Sequence, residues 1–438
     1  MNRRILSLAI PNIITNITIP LLGMVDTAIV GHLDCGESNI DYIGGVAIGS
    51  MIFTFLYWNF GFLRMGTSGF TAQAFGAGDF KEAMNILTRA CFIALTAAVV
   101  LIAIQYPISL ITQRAFENKN SVIDISMQYF FIRIWAAPAT LGMYALKGWF
   151  IGMQDSKTPM FVAILINVLN ILFSLWFVLS FDMKVAGVAW GTVIAQYGGL
   201  IAMFVFLFAK HRNILSYFNF RESLNKTKMW QFFKVNGDIF LRTLCLICVS
   251  TYFTIASSKM PYPLLAVNTL LMQLFSLFSY FMDGFAYAAE SLCGRYVGAK
   301  DRINLQKSVK YILLWGLVLS ICVMIIYILW SEQILYLLTD QQQVINVAKG
   351  YLGWTALIPL CGFVAFLYDG ILIGMTQSAI MRNAIFIATA LYFALFFCFK
   401  DSIGSNALWI GFLSYLLARS VLMPLFSWKL IFSKQGSL

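Results

Sequence analysis

Asp26 is the side chain in this sequence best placed to do chemistry. It sits within PLLGMVDTAIVG at 20–31, in the apolar run of 5–31, about 21 residues after that run begins, or roughly 31 Å of helical rise at 1.5 Å per residue. If the run crosses a membrane, this depth puts the carboxyl in the outer half of the bilayer. A carboxylate there is costly unless it faces a cavity, finds partners or takes up a proton. A group that holds a proton when dry and releases it when hydration or neighbours change is, in chemical terms, a proton-coupling site. The alternative is a residue that snorkels to the outer interface.

Other polar residues inside apolar runs provide candidate partners. Asn167 and Asn170 lie about one helical turn apart, and Ser174 follows Asn170 by four residues, so one helix face can carry all three. Gly191, Thr192 and Gln196 form a similar set in the next run. Such groups can surround a shifting carboxylate, or they can simply hold helices together. Pro11 and Pro20 each remove a backbone donor from the run that bears Asp26 and are candidate bend points.

The second half of the chain has a different set. Its first run carries Arg242 and no acid beyond Asp238. Asp283, Glu290 and Asp369 lie toward the cytoplasmic side, where pairing with Arg242, Arg64 or Lys147 would make ion pairs or gate elements. His32 and His211 stand far apart, with no nucleophile or metal-ligand motif beside them, so an enzyme and a bound metal are both unexpected. Cys245 and Cys248 form a C-x-x-C within LRTLCLICVS, which reads as helix packing, and Cys35 has no evident disulfide partner.

These residues are positioned by a chain that can only be a membrane protein. Of 438 residues, 60% are hydrophobic and 11% charged, against about 25% charged in soluble domains. Apolar runs give twelve spans near 5–31, 42–66, 86–108, 125–147, 159–181, 185–209, 237–257, 263–290, 311–330, 350–374, 383–399 and 405–428. The least certain division is at 262–298. Placing both termini in the cytoplasm puts most of the 30 Lys and Arg at cytoplasmic ends. Only Arg114, Lys119, Lys184, Lys259, Lys349 and Lys400 fall at outer ends, and Arg64, Arg133, Arg242 and Arg419 lie within spans. The net charge of +11 is therefore an orientation signal and not a nucleic-acid surface.

The chain also repeats itself. LKGWFIGMQDS at 146–156 matches YDGILIGMTQS at 368–378, and FGAGD at 75–79 matches VGAKD at 297–301 at the same offset of 222 residues. The expected organisation is an all-α integral membrane protein of twelve transmembrane helices. Two six-helix lobes, 1–209 and 237–438, are joined by a basic cytoplasmic linker at 210–236. An even number of spans per half makes the repeat parallel, with a pseudo-twofold axis along the membrane normal, as in transporters that rock about a central path.

GMVDTAIVGHLD, YIGGVAIGS and FLRMGTSGFTAQAFGAGD, with NVLNILFSLW, LLAVNTLLM, YFMDGFAYAAE and FLYDGILIGMTQSAIMRN, resemble the multidrug and toxic compound extrusion (MATE) family in its DinF branch. The resemblance covers nearly the whole chain. It implies cation-driven efflux by alternating access, with Asp26 at the proton-coupling position, Pro11 near the first-helix bend, and Asn170 and Thr192 in the surrounding network. Ser174 departs from the pattern, where related proteins usually have Asp. Its loss leaves Asp26 as the sole core carboxylate of that lobe and weakens a two-acid sodium site, and the acid that NorM-like relatives carry in the seventh span is also missing.

The expected function is thus a proton-coupled antiporter of the bacterial inner membrane that exports organic cations or amphiphiles. Its expected partners are a lipophilic or cationic small molecule and membrane lipid. A monomer without cofactor, metal or nucleic acid is expected, with H+ as coupling ion and Na+ as the alternative. A lipid-linked oligosaccharide flippase and an organic-anion exporter are the competing readings.

Overall fold

The computed structural model describes residues 1–31, 39–115 and 120–432. Among them there is no strand. The first half comprises α1 (Asn2–Gly31), α2 (Asn39–Asn59), α3 (Gly61–Ala77), α4 (Phe80–Ala103), α5 (Gln105–Ala115), α6 (Asn120–Arg133), a 3-10 turn at Ile134–Ala136, α7 (Ala137–Gly152), α8 (Lys157–Phe181) and α9 (Lys184–Lys210). The second comprises α10 (Arg212–Leu215), α11 (Phe220–Ser223), α12 (Lys226–Ser258), α13 (Leu264–Gly298), α14 (Arg302–Leu329), α15 (Ser331–Leu338), α16 (Gln342–Ala348), a 3-10 turn at Lys349–Tyr351, α17 (Leu352–Gly374), α18 (Ser378–Ile403) and α19 (Asn406–Phe432). His32, Cys35 and Lys119 lie outside the described residues.

Eleven helical stretches among the described residues are long and apolar enough to cross a bilayer, α2 with α3 and α16 with α17 each counting as one. The twelfth span expected from the sequence is α6 with α7, whose halves of 14 and 16 residues meet at the 3-10 turn. Neither half alone is as long as the roughly 20 residues a crossing needs. Span limits differ from the sequence reading wherever a helix continues into polar sequence. The uncertain region at 262–298 is one helix of 35 residues, α13. The linker is shorter than 210–236 because α12 begins at Lys226. Its lysines project from a helical surface that apolarity does not mark, while helical propensity continues through them.

The rest of the linker is tied down. Ser223 donates to Asn85 Oδ1 at 2.9 Å, and Arg89 donates to the Ser223 carbonyl at 3.0 Å. Lys81 pairs with Glu222 at 2.8 Å. The linker is therefore anchored to α4 through its neutral and acidic residues.

Two compact units result, Ile14–Phe232 and Met1–Ile13 with Phe233–Leu438. α1 thus contributes residues to both. The same helix pairs pack in each unit: α3 on α7, α4 on α7 and α8 on α9 in the first, α13 on α17, α14 on α17 and α18 on α19 in the second. The repeat motifs account for this. Gly148 and Gly152 on α7 make a G-x-x-x-G face, and a Cβ at either would strike backbone or Cβ atoms of α3 at Arg64, Ser68 and Thr71. Gly370 and Gly374 do the same against Ala286, Glu290 and Gly294 of α13. Small residues let backbones approach this closely where there is no water to drive helices together.

The second matched motif is a helix start. Asp79 Oδ1 accepts from the Glu82 amide at 2.9 Å and Asp301 Oδ1 from the Asn304 amide at 3.1 Å, each capping the following helix. The preceding residues, Gly78 and Lys300, are both left-handed, with φ of 72° and 55°. Gln154 and Thr376, also 222 apart, share that conformation at 63° and 55°.

Candidate functional site

The site grows from close helix contacts in the first unit. On α2, Gly45 and Gly49 leave no room for a Cβ against Ile125 and the Tyr129 ring, so α6 comes near enough to present Tyr129. Gly191 on α9 lies directly against Ser174 on α8, and this contact sets Asn170 beside Thr192.

Asp26 on α1 is completely buried where these helices meet. Its Oδ2 accepts from the Tyr129 hydroxyl at 3.1 Å and from Thr192 Oγ1 at 3.2 Å. Its Oδ1 accepts from Asn170 Nδ2 at 3.2 Å, and the same amide nitrogen donates to Thr192 Oγ1 at 3.0 Å. Thr192 Oγ1 is also 3.0 Å from the Val188 carbonyl. Its one hydrogen can serve either Asp26 or Val188, so the cluster can accommodate a carboxylate that is ionised or protonated.

Behind Tyr129 stands a cation. Arg133 Nη1 donates to the Tyr129 hydroxyl at 2.5 Å and to Ser50 Oγ at 3.3 Å, and its guanidinium lies 5.0 Å from the Phe53 ring centre. A fixed positive charge one hydroxyl away from Asp26 favours the carboxylate, against the cost of burying it.

The sequence candidates divide clearly. Asn170 and Thr192 bond Asp26 directly. Asn167 instead donates to its own helix at Ala163 O, 2.9 Å away. Gln196 is half-buried a turn beyond Thr192. Ser174 is fully buried against Gly191, but the bonds to Asp26 come from Tyr129, Asn170 and Thr192. α1 runs as one helix through Pro11 and Pro20. Tyr129 was not evident from the sequence, although the i, i+4 spacing of Tyr129 and Arg133 in an apolar span was a readable signal.

The second unit holds a different charge cluster. Arg242 on α12 and Arg419 on α19 both donate to Asp369 Oδ2 on α17, Arg419 at 2.7 Å. All three side chains are buried. Arg242 was an expected partner of Asp369, whereas Arg419 was not. Nearby, Asp238 pairs with Arg382 and accepts from Ser378 at 2.8 Å. Glu290 is buried and Asp283 half-buried on α13, while Arg64 is buried on α3. Cys245 and Cys248 are free thiols on α12. Among the described residues no cluster of three or more His, Cys, Asp or Glu is arranged to hold a metal.

Comparison with known proteins places this geometry. The MatE family model matches residues 11–176 and 239–398, two stretches that together span most of the chain. The chain belongs to the MatE family. It is 34% identical over 418 residues to the DNA damage-inducible protein F of Escherichia coli, across 94% of this chain and 89% of that one. A probable multidrug resistance protein NorM of Thermotoga maritima is 23% identical across 97% and 92% of the two chains. The fold matches an outward-facing multidrug resistance MATE transporter with a TM-score of 0.87 at 17% identity, covering 99% of this chain and 96% of that one. As a MatE member of the DinF-like branch, the protein is an integral membrane transporter and not an enzyme. Its twelve-helix architecture is that of the MATE structures it matches.

Proposed function

We propose that this chain is a secondary active exporter of organic cations or amphiphilic compounds, driven by inward movement of protons through Asp26. The observation that carries the reading is a wholly buried carboxylate held by three neutral donors on three helices. When Asp26 is ionised, Thr192 turns its hydrogen to the carboxylate. When Asp26 takes a proton, it can donate to Thr192, whose hydrogen then goes to Val188 O. The network stays bonded in both states while its charge changes by one, and substrate release in an alternating-access cycle is coupled to that change. The relatives named for multidrug resistance support the substrate class, and the relative in E. coli supports a bacterial inner membrane. Both termini face the cytoplasm on this reading, and the protein works as a monomer in lipid without cofactor or metal.

The deciding experiment is transport of a fluorescent cation in proteoliposomes under separate proton and sodium gradients. Asp26→Asn should abolish proton-driven transport. Full activity in that variant would remove Asp26 from the mechanism, and strict sodium dependence of the unaltered protein would overturn the coupling ion.

A further inference from the structure

We propose that Arg133 is a tethered counter-cation that reserves the Asp26 site for protons and bars sodium from it. The inference rests on Asp26 being the coupling carboxylate.

Sodium is a hard cation that needs several oxygen ligands offering lone pairs. The groups on Asp26 offer hydrogens instead: the Tyr129 hydroxyl, the Thr192 hydroxyl and the Asn170 amide nitrogen. The Tyr129 oxygen cannot be turned to a metal easily, because its lone pair already accepts from Arg133 at 2.5 Å. Arg133 is held in turn by Ser50 and by stacking on Phe53. Its guanidinium stays charged under all working conditions.

Around Asp26, α2 brings Ser50, Phe53 and the buried Tyr57, α6 brings Tyr129 and Arg133, and α8 and α9 bring Asn170, Ser174 and Thr192, with Tyr197 of α9 near Tyr57. Among the described residues of these four helices at the site, Arg133 is thus the one permanent charge facing Asp26. A sodium ion beside Asp26 would add a second cation to a site already neutralised. A proton adds charge only by removing that of Asp26, and needs no ligand shell. Arg133 does the electrostatic work that a bound metal would do, and the lone carboxylate left by Ser174 then suffices.

The test is direct binding of radioactive sodium to purified protein, with potassium and protons as competitors. The unaltered protein and Arg133→Lys should bind none. Arg133→Gln and Arg133→Met should gain proton-competed sodium binding, with bound sodium about tenfold or more above the background of the unaltered protein as a facing charge is removed. Asp26→Asn combined with Arg133→Gln should lose it again. Sodium binding by the unaltered protein or by Arg133→Lys overturns the proposal, as does its absence from a monodisperse Arg133→Gln. If Arg133→Gln does not fold, Arg133→Met, which removes the same charge, must show the gain or the proposal fails. Proton-driven transport by Asp26→Asn would instead sink the antiport reading, whatever the sodium result.

Discussion

Thr192 Oγ1 stands 3.2 Å from Asp26 Oδ2 and 3.0 Å from the carbonyl of Val188 in its own helix, with one hydrogen to give between them. Replacement by valine keeps the shape and removes the hydroxyl. Hydrogen bonds to a charged group contribute about 1.5–3 kcal/mol, so Thr192→Val should slow proton-driven transport by about tenfold or more. Thr192→Ser should retain most activity. Equal rates for the valine and serine variants in proteoliposomes would show that the hydroxyl does not switch.

The two glycine faces should be intolerant of a single methyl group. Gly148→Ala drives a Cβ onto the Arg64 carbonyl, and Gly370→Ala drives one onto that of Ala286. Backbone cannot yield as a side-chain tip can, so each should cost about 1–3 kcal/mol. Gly237 on α12 has open space at its Cβ position. Gly237→Ala should be neutral or stabilising by up to about 1 kcal/mol. Thermal unfolding in detergent, followed by size-exclusion chromatography, measures all three.

The Asp369 cluster should fail asymmetrically. Asp369→Asn leaves Arg242 and Arg419 buried together without their shared anion, a loss of about 3–5 kcal/mol. Arg419→Met leaves Asp369 paired with Arg242 and should cost clearly less. A melting temperature lower for Arg419→Met than for Asp369→Asn would refute this ordering.

Acid should act on the cap of α14. Asp301 lies between spans, and hydrogen bonds from the Asn304 side chain and then its backbone amide hold its carboxyl below the usual range. A carboxyl depressed by folding contributes stability that is full above its unfolded value, about 3.9. That contribution is lost as pH falls through the lower folded value. Asp301→Asn can still cap and should flatten this part of the acid limb, while Asp301→Ala should cost about 1 kcal/mol at neutral pH. Acid melting curves that are identical for the unaltered protein and Asp301→Asn would exclude the cap as a contributor.

Much of this molecule was legible in its sequence. Apolar length marks the spans, and the offset of 222 residues pairs motifs whose helices pack alike in the two units, because both record burial and packing directly. Asp26, Asn170 and Thr192 were found because polar atoms in apolar runs are costly and therefore conspicuous. Tyr129 escaped notice because tyrosine is amphipathic and common at membrane interfaces, so its chemistry depends on which atom it meets. Arg419 was visible only as a charge within a span, since its meeting with Asp369 joins helices 50 residues apart. Ser174 was grouped with Asn170 by helical spacing, yet its burial against Gly191 is decided by a second helix that spacing on the first cannot show.

The glycine faces of α7 and α17 have a consequence for how this architecture can persist through sequence change. At those contacts the neighbouring surface is mostly main chain, which substitution cannot alter. Positions around such a seam are free to drift, and within this chain they have drifted to opposite signs. Lys147 beside Gly148 and Asp369 beside Gly370 occupy the same repeat position. A framework whose joints are written in the backbone can be inherited nearly intact while its side chains are replaced. This offers a physical account of how a chain only 17% identical to a solved relative still overlays it with a TM-score of 0.87.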